Sequence, residues 1–113
     1  MKWLAIPVLV LLTVPAAAKD MLFWNETGHE FTGVFLAPAG SGRFGPNQTA
    51  NDPDHSVSAD ERLKITATAP GRYDVRLTDK AGRTCLVWNV TVKGTGRVAF
   101  AIGEEQLTDC TPR

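Results

Sequence analysis

The chain has 113 residues, with 12 basic and 12 acidic side chains. This length accommodates one domain with one modest hydrophobic core. The balanced charge argues against nucleic acid or an anionic membrane as the main partner, although it leaves room for a local charged patch.

The first 18 residues have the layout of a secretory signal peptide. The positive residue Lys2 is followed by an apolar run from Trp3 to Val14 and then by small residues up to Ala18. The apolar run is shorter than the roughly 20 residues that a membrane-spanning helix needs, so a membrane anchor is the weaker alternative. We therefore predict cleavage after Ala18, a periplasmic or secreted mature chain, and no membrane insertion after cleavage.

Alternating apolar and polar residues between turn signals predict an all-β domain over residues 19–113. The predicted strands cover residues 21–27, 30–37, 61–68, 72–78, 84–92 and 97–102. Gly28 and His29 separate the first two strands, which predicts a tight turn and a hairpin there. About six strands joined mostly by short turns favour a small two-sheet antiparallel sandwich, Greek-key or transthyretin-like. A small open barrel is the second possibility.

The period-two pattern also assigns side chains to faces. Leu63, Ile65, Ala67, Tyr73, Val75 and Leu77 are predicted to be buried. Arg62, Lys64, Arg72, Asp74 and Arg76 are predicted to face solvent, and pairing of their two strands would make one charged surface. The strand over residues 84–92 is apolar on both faces, which predicts a central strand with Trp88 in the core.

Cys85 and Cys110 both lie in the part of the chain that we expect to be exported. An oxidising compartment favours a disulfide between them, with two free thiols as the alternative.

A connection from Pro38 to Ala59 is unusually long for a compact domain, and long ordered loops are often functional. One interpretation is a recognition loop for a protein or glycan partner, with Arg43, Phe44 and Asn47 as the contact residues. Another is an acidic connection in solvent, held by its own Asx turns.

The same loop also raises the possibility of calcium binding. Oxygen ligands come at a spacing that begins a calcium loop, and the candidate ligands are Asp52, Asp54, Ser56, Asp60 and Glu61. The match to an EF-hand is incomplete, because Val57 and Leu63 stand where such a loop needs Gly and Glu. A shorter calcium site within residues 51–61 remains an alternative.

No catalytic signature is present in the sequence. His29 and His55 are the only side chains that could serve as bases at neutral pH, and neither belongs to a nucleophile motif. We therefore predict that the protein is not an enzyme, and keep a small periplasmic enzyme as the last alternative. Asn25, Asn47 and Asn89 each begin an Asn-x-Thr sequence, the acceptor pattern for glycans in a secreted eukaryotic protein.

Several segments together resemble a group of short secreted bacterial proteins of uncharacterised function. They are NETG (25–28), FLAPAGSGRFGPN (35–47), DERLKI (60–65), APGRYDVRLTDKAGRTC (69–85) and NVTV (89–92). Phe44 stands where members of that group commonly carry Trp. The element PGRYDV also resembles the strand entry of transthyretin-like accessory domains, which implies a role in adhesion or folding support.

The combined prediction is a non-catalytic binding or accessory module without a cofactor, whose contacts lie in the loop over residues 38–59. A sandwich stabilised by calcium at residues 51–61 is the alternative.

Overall fold

The computed structural model describes residues 21–112. The strands are β1 Met21–Glu26, β2 Phe31–Pro38, β3 Arg62–Ile65, β4 Gly71–Asp79, β5 Thr84–Val92, β6 Phe100–Gly103 and β7 Thr108–Thr111. Two short 3₁₀ helices, η1 Gln48–Asn51 and η2 Glu104–Gln106, complete the secondary structure. The predicted signal peptide lies outside the described residues. Within residues 21–112 no helix is long and apolar enough to cross a membrane.

The strands form two sheets, which confirms the prediction of an all-β two-sheet architecture. One sheet has the order β3-β1-β6 and the other the order β2-β4-β5-β7. Pairing is antiparallel except between β1 and β6, which run parallel. The prediction did not include β7 as a strand.

One hydrophobic core fills the space between the sheets. Its buried members are Phe23, Phe31, Val34, Leu36, Val57, Leu63, Ile65, Val75, Leu77, Val87, Val90, Val92, Ala99, Phe100 and Ile102. The rings of Phe23 and Phe100 stack with their centroids 4.9 Å apart. Val75 and Leu77 are fully buried, as predicted, whereas Tyr73 is only partly buried against the core.

The predicted hairpin at Gly28 and His29 is wrong, because β1 and β2 belong to different sheets. The buried side chain of Asn25 explains the change of direction. Its amide nitrogen donates to the carbonyl of His29, and its Oδ1 accepts hydrogen bonds from the backbone N–H and the hydroxyl of Thr27. These bonds stabilise a connection that crosses from one sheet to the other instead of a turn within one sheet.

The predicted pairing of the third and fourth strands is also wrong. β3 pairs with β1, whereas β4 lies between β2 and β5 in the other sheet. The charged side chains of β3 and β4 therefore do not form one surface. The third strand ends at Ile65, and Ala67, predicted to be buried, is exposed with a positive φ of 54°. An L-residue in that conformation interrupts the extended backbone of a strand.

Trp88 is 52% exposed, so the prediction that it lies in the core is wrong. Alternation is the reason, because Cys85 and Val87 are buried and Trp88 therefore lies on the outer face of β5. A bulge follows, where Val87 pairs with Val75 while Val90 pairs with Tyr73. The partner strand has one residue between those pairs, Asp74, and β5 has two. The inward positions of β5 shift by one residue at this point, which leaves the neighbour of Trp88 exposed as well.

Asp74 is buried at the bulge, contrary to the prediction that it faces solvent. Its carboxylate accepts hydrogen bonds from the backbone N–H groups of Asn89 and Gly40, each at 2.9 Å. Asn89 has a φ of 56°, a conformation that Asn adopts more readily than most residues. The buried carboxylate is therefore satisfied by one backbone N–H of the bulge and one of the loop that follows β2.

The predicted disulfide between Cys85 and Cys110 is confirmed. It links β5 to β7, which otherwise pairs with β5 at Thr84 and Leu86 alone.

Candidate functional site

The long connection between β2 and β3, residues 39–61, covers one lateral edge of the sandwich, and we call it the closing loop. Its 3₁₀ helix η1 contacts both β2 and β3, the edge strands of the two sheets on this side. Val57, near the end of the loop, is buried and exchanges two backbone hydrogen bonds with Phe31 of β2, both 2.9 Å. The loop therefore closes the gap between the two sheets.

Asn47 fastens the loop to β2. Its Oδ1 accepts from the backbone N–H of Val34 at 3.0 Å, and its Nδ2 donates to the carbonyl of Thr32 at 2.9 Å. The same Oδ1 also accepts from the backbone N–H and the hydroxyl of Thr49. Asn47 was predicted to contact a partner, but both its amide oxygen and its amide nitrogen are used to hold the loop.

Two further amide side chains connect η1 to the segment at the end of β3. The Nε2 of Gln48 donates to the carbonyl of Thr66, and its Oε1 accepts from the N–H of the same residue. Asn51 donates to the carbonyl of Lys64 at 2.8 Å. Because η1 is bound on both sides, the loop joins the two sheets through polar bonds as well as through the core residue Val57.

The other predicted contact residues lie on the outer side of the sheet that contains β2. Arg43 is exposed, and Phe44 is half-buried. The guanidinium of Arg76 lies 4.4 Å from the ring centre of Phe44 and 4.6 Å from that of Phe35. Phe44 therefore packs on Arg76 and holds the first part of the closing loop against the sheet.

The predicted calcium ligands have different roles in the structure. The carboxylate of Asp52 accepts from the N–H of Asp54, that of Asp60 accepts from the indole N–H of Trp24, and that of Glu61 accepts from the N–H of Ser58. Among residues 21–112, no group of three or more His, Cys, Asp or Glu side chains is arranged to hold a metal ion. Calcium binding remains a prediction that these contacts do not favour.

The opposite lateral edge of the sandwich is open within the described chain. β6 pairs with β1 on one side only. β7 covers β5 only near Thr84 and Leu86, so the second half of β5, residues 88–92, pairs with β4 alone. Just beyond β5 and just before β6, the backbone N–H of Lys93 donates to the carbonyl of Ala99.

A groove of about 490 Å³ lies along this open edge, and we call it the open-edge groove. Backbone and side chains of β5 and β6 form its walls, and the core residues Val87 and Phe100 reach its floor. Two tryptophans, Trp24 and Trp88, line it together with the small residue Ala101. A cavity of this size and composition is typical of a binding site.

In both tryptophans of the groove, the indole N–H is hydrogen-bonded to an aspartate. The indole N–H of Trp24 donates to Asp60 at 3.0 Å, and that of Trp88 donates to Asp109 at 2.9 Å. Asp60 and Asp109 each have a positive φ, 66° and 46°. An indole whose N–H is already bonded presents mainly its apolar surface to a ligand.

Three cations and two carboxylates lie next to the groove, and the carboxylates are Asp60 and Asp109, which accept from its tryptophans. Lys93 lines the groove, while Arg62 and Arg97 line a second cavity that shares Val98 with it. The guanidinium of Arg62 lies 4.3 Å from the ring centre of Trp24. Within residues 21–112, none of these three cations forms an ion pair with a carboxylate.

A separate polar cluster joins three connections of the sandwich. Nε2 of His29 lies 3.0 Å from a carboxylate oxygen of Glu104 and 3.1 Å from the guanidinium of Arg83. The backbone N–H of Gly28 donates to the other oxygen of Glu104, and this bond is the main cause that holds the pKa of Glu104 below its usual range, with His29 adding to the effect. The described contacts of the His29 ring include no hydroxyl or thiol nucleophile.

Reasoning from sequence missed both tryptophans of the groove and placed the contacts in the closing loop. The signal for Trp88 was the period-two alternation from Cys85 and Val87, which places it on the opposite face of β5. Nothing in the sequence indicated that β6 would be an edge strand. Comparison with protein-family models, with curated proteins and with solved structures gives no match.

Proposed function

We propose that this protein is a small exported, non-catalytic binding module that recognises its partner through the open-edge groove. The observation that carries the proposal is the groove itself, where two oriented tryptophans and two core residues meet at an edge that no described strand covers. Aromatic side chains at the centre of a desolvated depression are the commonest source of binding energy in protein interfaces.

Export is supported by the amino-terminal pattern and by the disulfide, since stable disulfides belong to oxidising compartments. The closing loop is assigned to stability instead of recognition, because its amide side chains and its aromatic ring are bound to the sheets.

A comparison of matched variants tests the location of the site. Wild type, Trp88→Ala, Ala101→Arg, Arg43→Ala and Phe44→Ala are each immobilised and exposed to a periplasmic extract and to a glycan array. We expect Trp88→Ala and Ala101→Arg to lose the interactions that wild type makes. Arg43→Ala should keep them, because its side chain lies outside the groove.

Stability measurements accompany the binding measurements. Trp88 is largely exposed, so Trp88→Ala should change the free energy of unfolding by less than about 1 kcal/mol. Binding that survives both groove variants but disappears in Arg43→Ala or in folded Phe44→Ala would contradict the proposal and return the site to the closing loop.

A further inference from the structure

We infer that the ligand of the open-edge groove is an extended, acidic polypeptide segment that adds as a strand to the free edge of β6. This inference rests on the proposed function and names the class of its ligand. It depends on the backbone at the edge, on the side chains of the groove and on the charges beside it.

The edge of β6 that faces away from β1 carries no charged residue, proline or bulge, and the strand is four residues long. Exposed edges are usually protected by charged residues, proline, bulges or a covering loop. β6 has the sequence FAIG, with neither a charge nor a proline. The opposite edge of the sandwich has its closing loop, and the edge strand β7 contains Asp109 and precedes Pro112.

An added strand would place its side chains in contact with the groove. Its backbone would bond to the groups of β6 that face away from β1, except the N–H of Gly103, which donates to Oε1 of Gln106. Alternate side chains of the added strand would point to one face. Trp24 and Ala101 are register partners on neighbouring strands and both line the groove, so the ring is next to the free edge. Trp88 contributes from β5 on the other side. Apolar side chains at the ligand positions that point towards the core residues Val87 and Phe100 fit the groove, and the alternate positions then face outwards on the side of Ala101 and Arg62.

The cations around the groove outnumber the two carboxylates beside it, Asp60 and Asp109, whose oxygens accept from the tryptophans. Lys93, Arg62 and Arg97 are exposed around the groove and its neighbouring cavity, and no described carboxylate pairs with them. A ligand with carboxylates at its alternate outward positions is complementary to them. A second copy of this chain, paired through the same edge, would bring two sets of these cations together and is disfavoured.

Synthetic peptides of about ten residues, a usual strand length, provide the probe. One alternates Val with Glu, the second alternates Val with Lys, and the third is the Val-Glu peptide with every backbone nitrogen methylated. Each is titrated into the exported protein while backbone amide signals and hydrogen exchange are recorded by NMR. Sedimentation measures the oligomeric state of the free protein.

We expect the Val-Glu peptide to bind and to protect amides of β6 from exchange, without change in the closing loop. The Val-Lys and methylated peptides should each bind at least about tenfold more weakly. Arg97→Glu should weaken binding of the Val-Glu peptide by about tenfold. Arg43→Glu should leave this binding unchanged, because Arg43 is an exposed cation away from the groove.

Equal binding of the methylated peptide would exclude strand addition, and equal binding of the Val-Lys peptide would exclude charge selection. No binding of any peptide, or a free protein that is dimeric through β6, would overturn the inference. If Trp88→Ala and Ala101→Arg still abolish natural interactions in the extract or on the glycan array, the proposed function stands and only the ligand class is wrong. If those variants have no effect either, both proposals fail.

Discussion

The two lateral edges of this sandwich differ in how their backbone groups are covered. On one side, the closing loop binds β2 and β3 through Asn47, Gln48 and Asn51. On the other side, β6 and the second half of β5 have no further strand partner in the described chain. A small domain has to protect its strand edges, and this one covers one edge with its own chain. This difference is the basis of the proposal that the second edge receives a partner.

The two edges also differ in the types of side chain that they contain. The closed edge is rich in side-chain amides, which both donate and accept and can satisfy a backbone that lacks a strand partner. The open edge instead has tryptophans and unpaired cations, which contribute more to binding than to local stability. The following predictions test whether the two edges are independent in this way.

The largest effect is expected at Asn25, which connects β1 to the end of the closing loop. Its Nδ2 donates to the carbonyls of His29, Val57 and Ser58, and the residue is fully buried. Asn25→Ala leaves several buried groups without partners and should cost about 3 to 5 kcal/mol of unfolding free energy in a denaturant titration. Asn25→Asp, which has nearly the same volume but cannot donate, should lose a similar amount. A loss below about 1 kcal/mol in both variants would contradict the role of these bonds.

Removal of the disulfide should have the next largest effect on stability. It should also lengthen the open edge, because β7 would be held to β5 less firmly. Replacing Cys85 and Cys110 by Ala removes a bridge across 25 residues and should cost about 3 kcal/mol in the chain-entropy model. Because β7 pairs with β5 at only two positions, the amide of Leu86 should then exchange faster than in oxidised wild type. Unchanged exchange at Leu86 would show that β7 stays in place without the bridge.

Asn47→Ala should open the closed edge without affecting the groove. The variant loses bonds to Thr32, Val34 and Thr49 in a part-buried site and should cost about 2 kcal/mol. Hydrogen exchange should increase in η1 and leave β6 unchanged. Asn47→Asp retains the accepting oxygen and should lose less stability than Asn47→Ala. Faster exchange in β6 as well would show that the two edges are coupled.

The smallest effect is expected at Glu104, at the end of the sandwich. Its pKa is lower in the folded state, so ionised Glu104 stabilises the fold at pH values above its usual pKa of about 4.3. This contribution disappears as the pH falls through the lowered pKa. The stability of Glu104→Gln should therefore fall below wild type by less than about 1 kcal/mol at pH 6 and match it near pH 3. Glu105→Gln, its neighbour on η2, is the control. A difference that persists at the acidic end would contradict this explanation.

Patterns local in sequence predicted much of the fold. The alternation around Val75 and Leu77 predicted two buried residues, and the two cysteines predicted the bridge that the structure contains. The predicted strands 72–78 and 84–92 leave a short connection at residues 79–83, where Gly82 has a φ of 91° and the N–H of Asp79 donates to the carbonyl of Arg83. Each of these features depends on residues close in sequence or on one covalent bond.

The candidate site could not be predicted in the same way. Asn25 and Asn47 share the Asn-x-Thr pattern, and in both the asparagine Oδ1 accepts from the N–H and hydroxyl of the threonine two residues later. The sequence showed this pattern only as a possible modification site. Its structural role depends on bonds to strands distant along the chain, such as those of Asn47 to Thr32 and Val34.

The sequence by itself determined the strand content, the buried faces of the regular strands and the disulfide, because period-two burial and cysteine oxidation depend on residue type and short-range order. Only the tertiary structure decided which strands share a sheet, where β5 bulges and which edge remains open. Those features depend on the packing of two sheets around one core, where a single extra residue at the bulge places Asn89 on the outer face and Val90 in the core. The groove belongs to this second class, since it exists only where β5 and β6 meet without a strand between them.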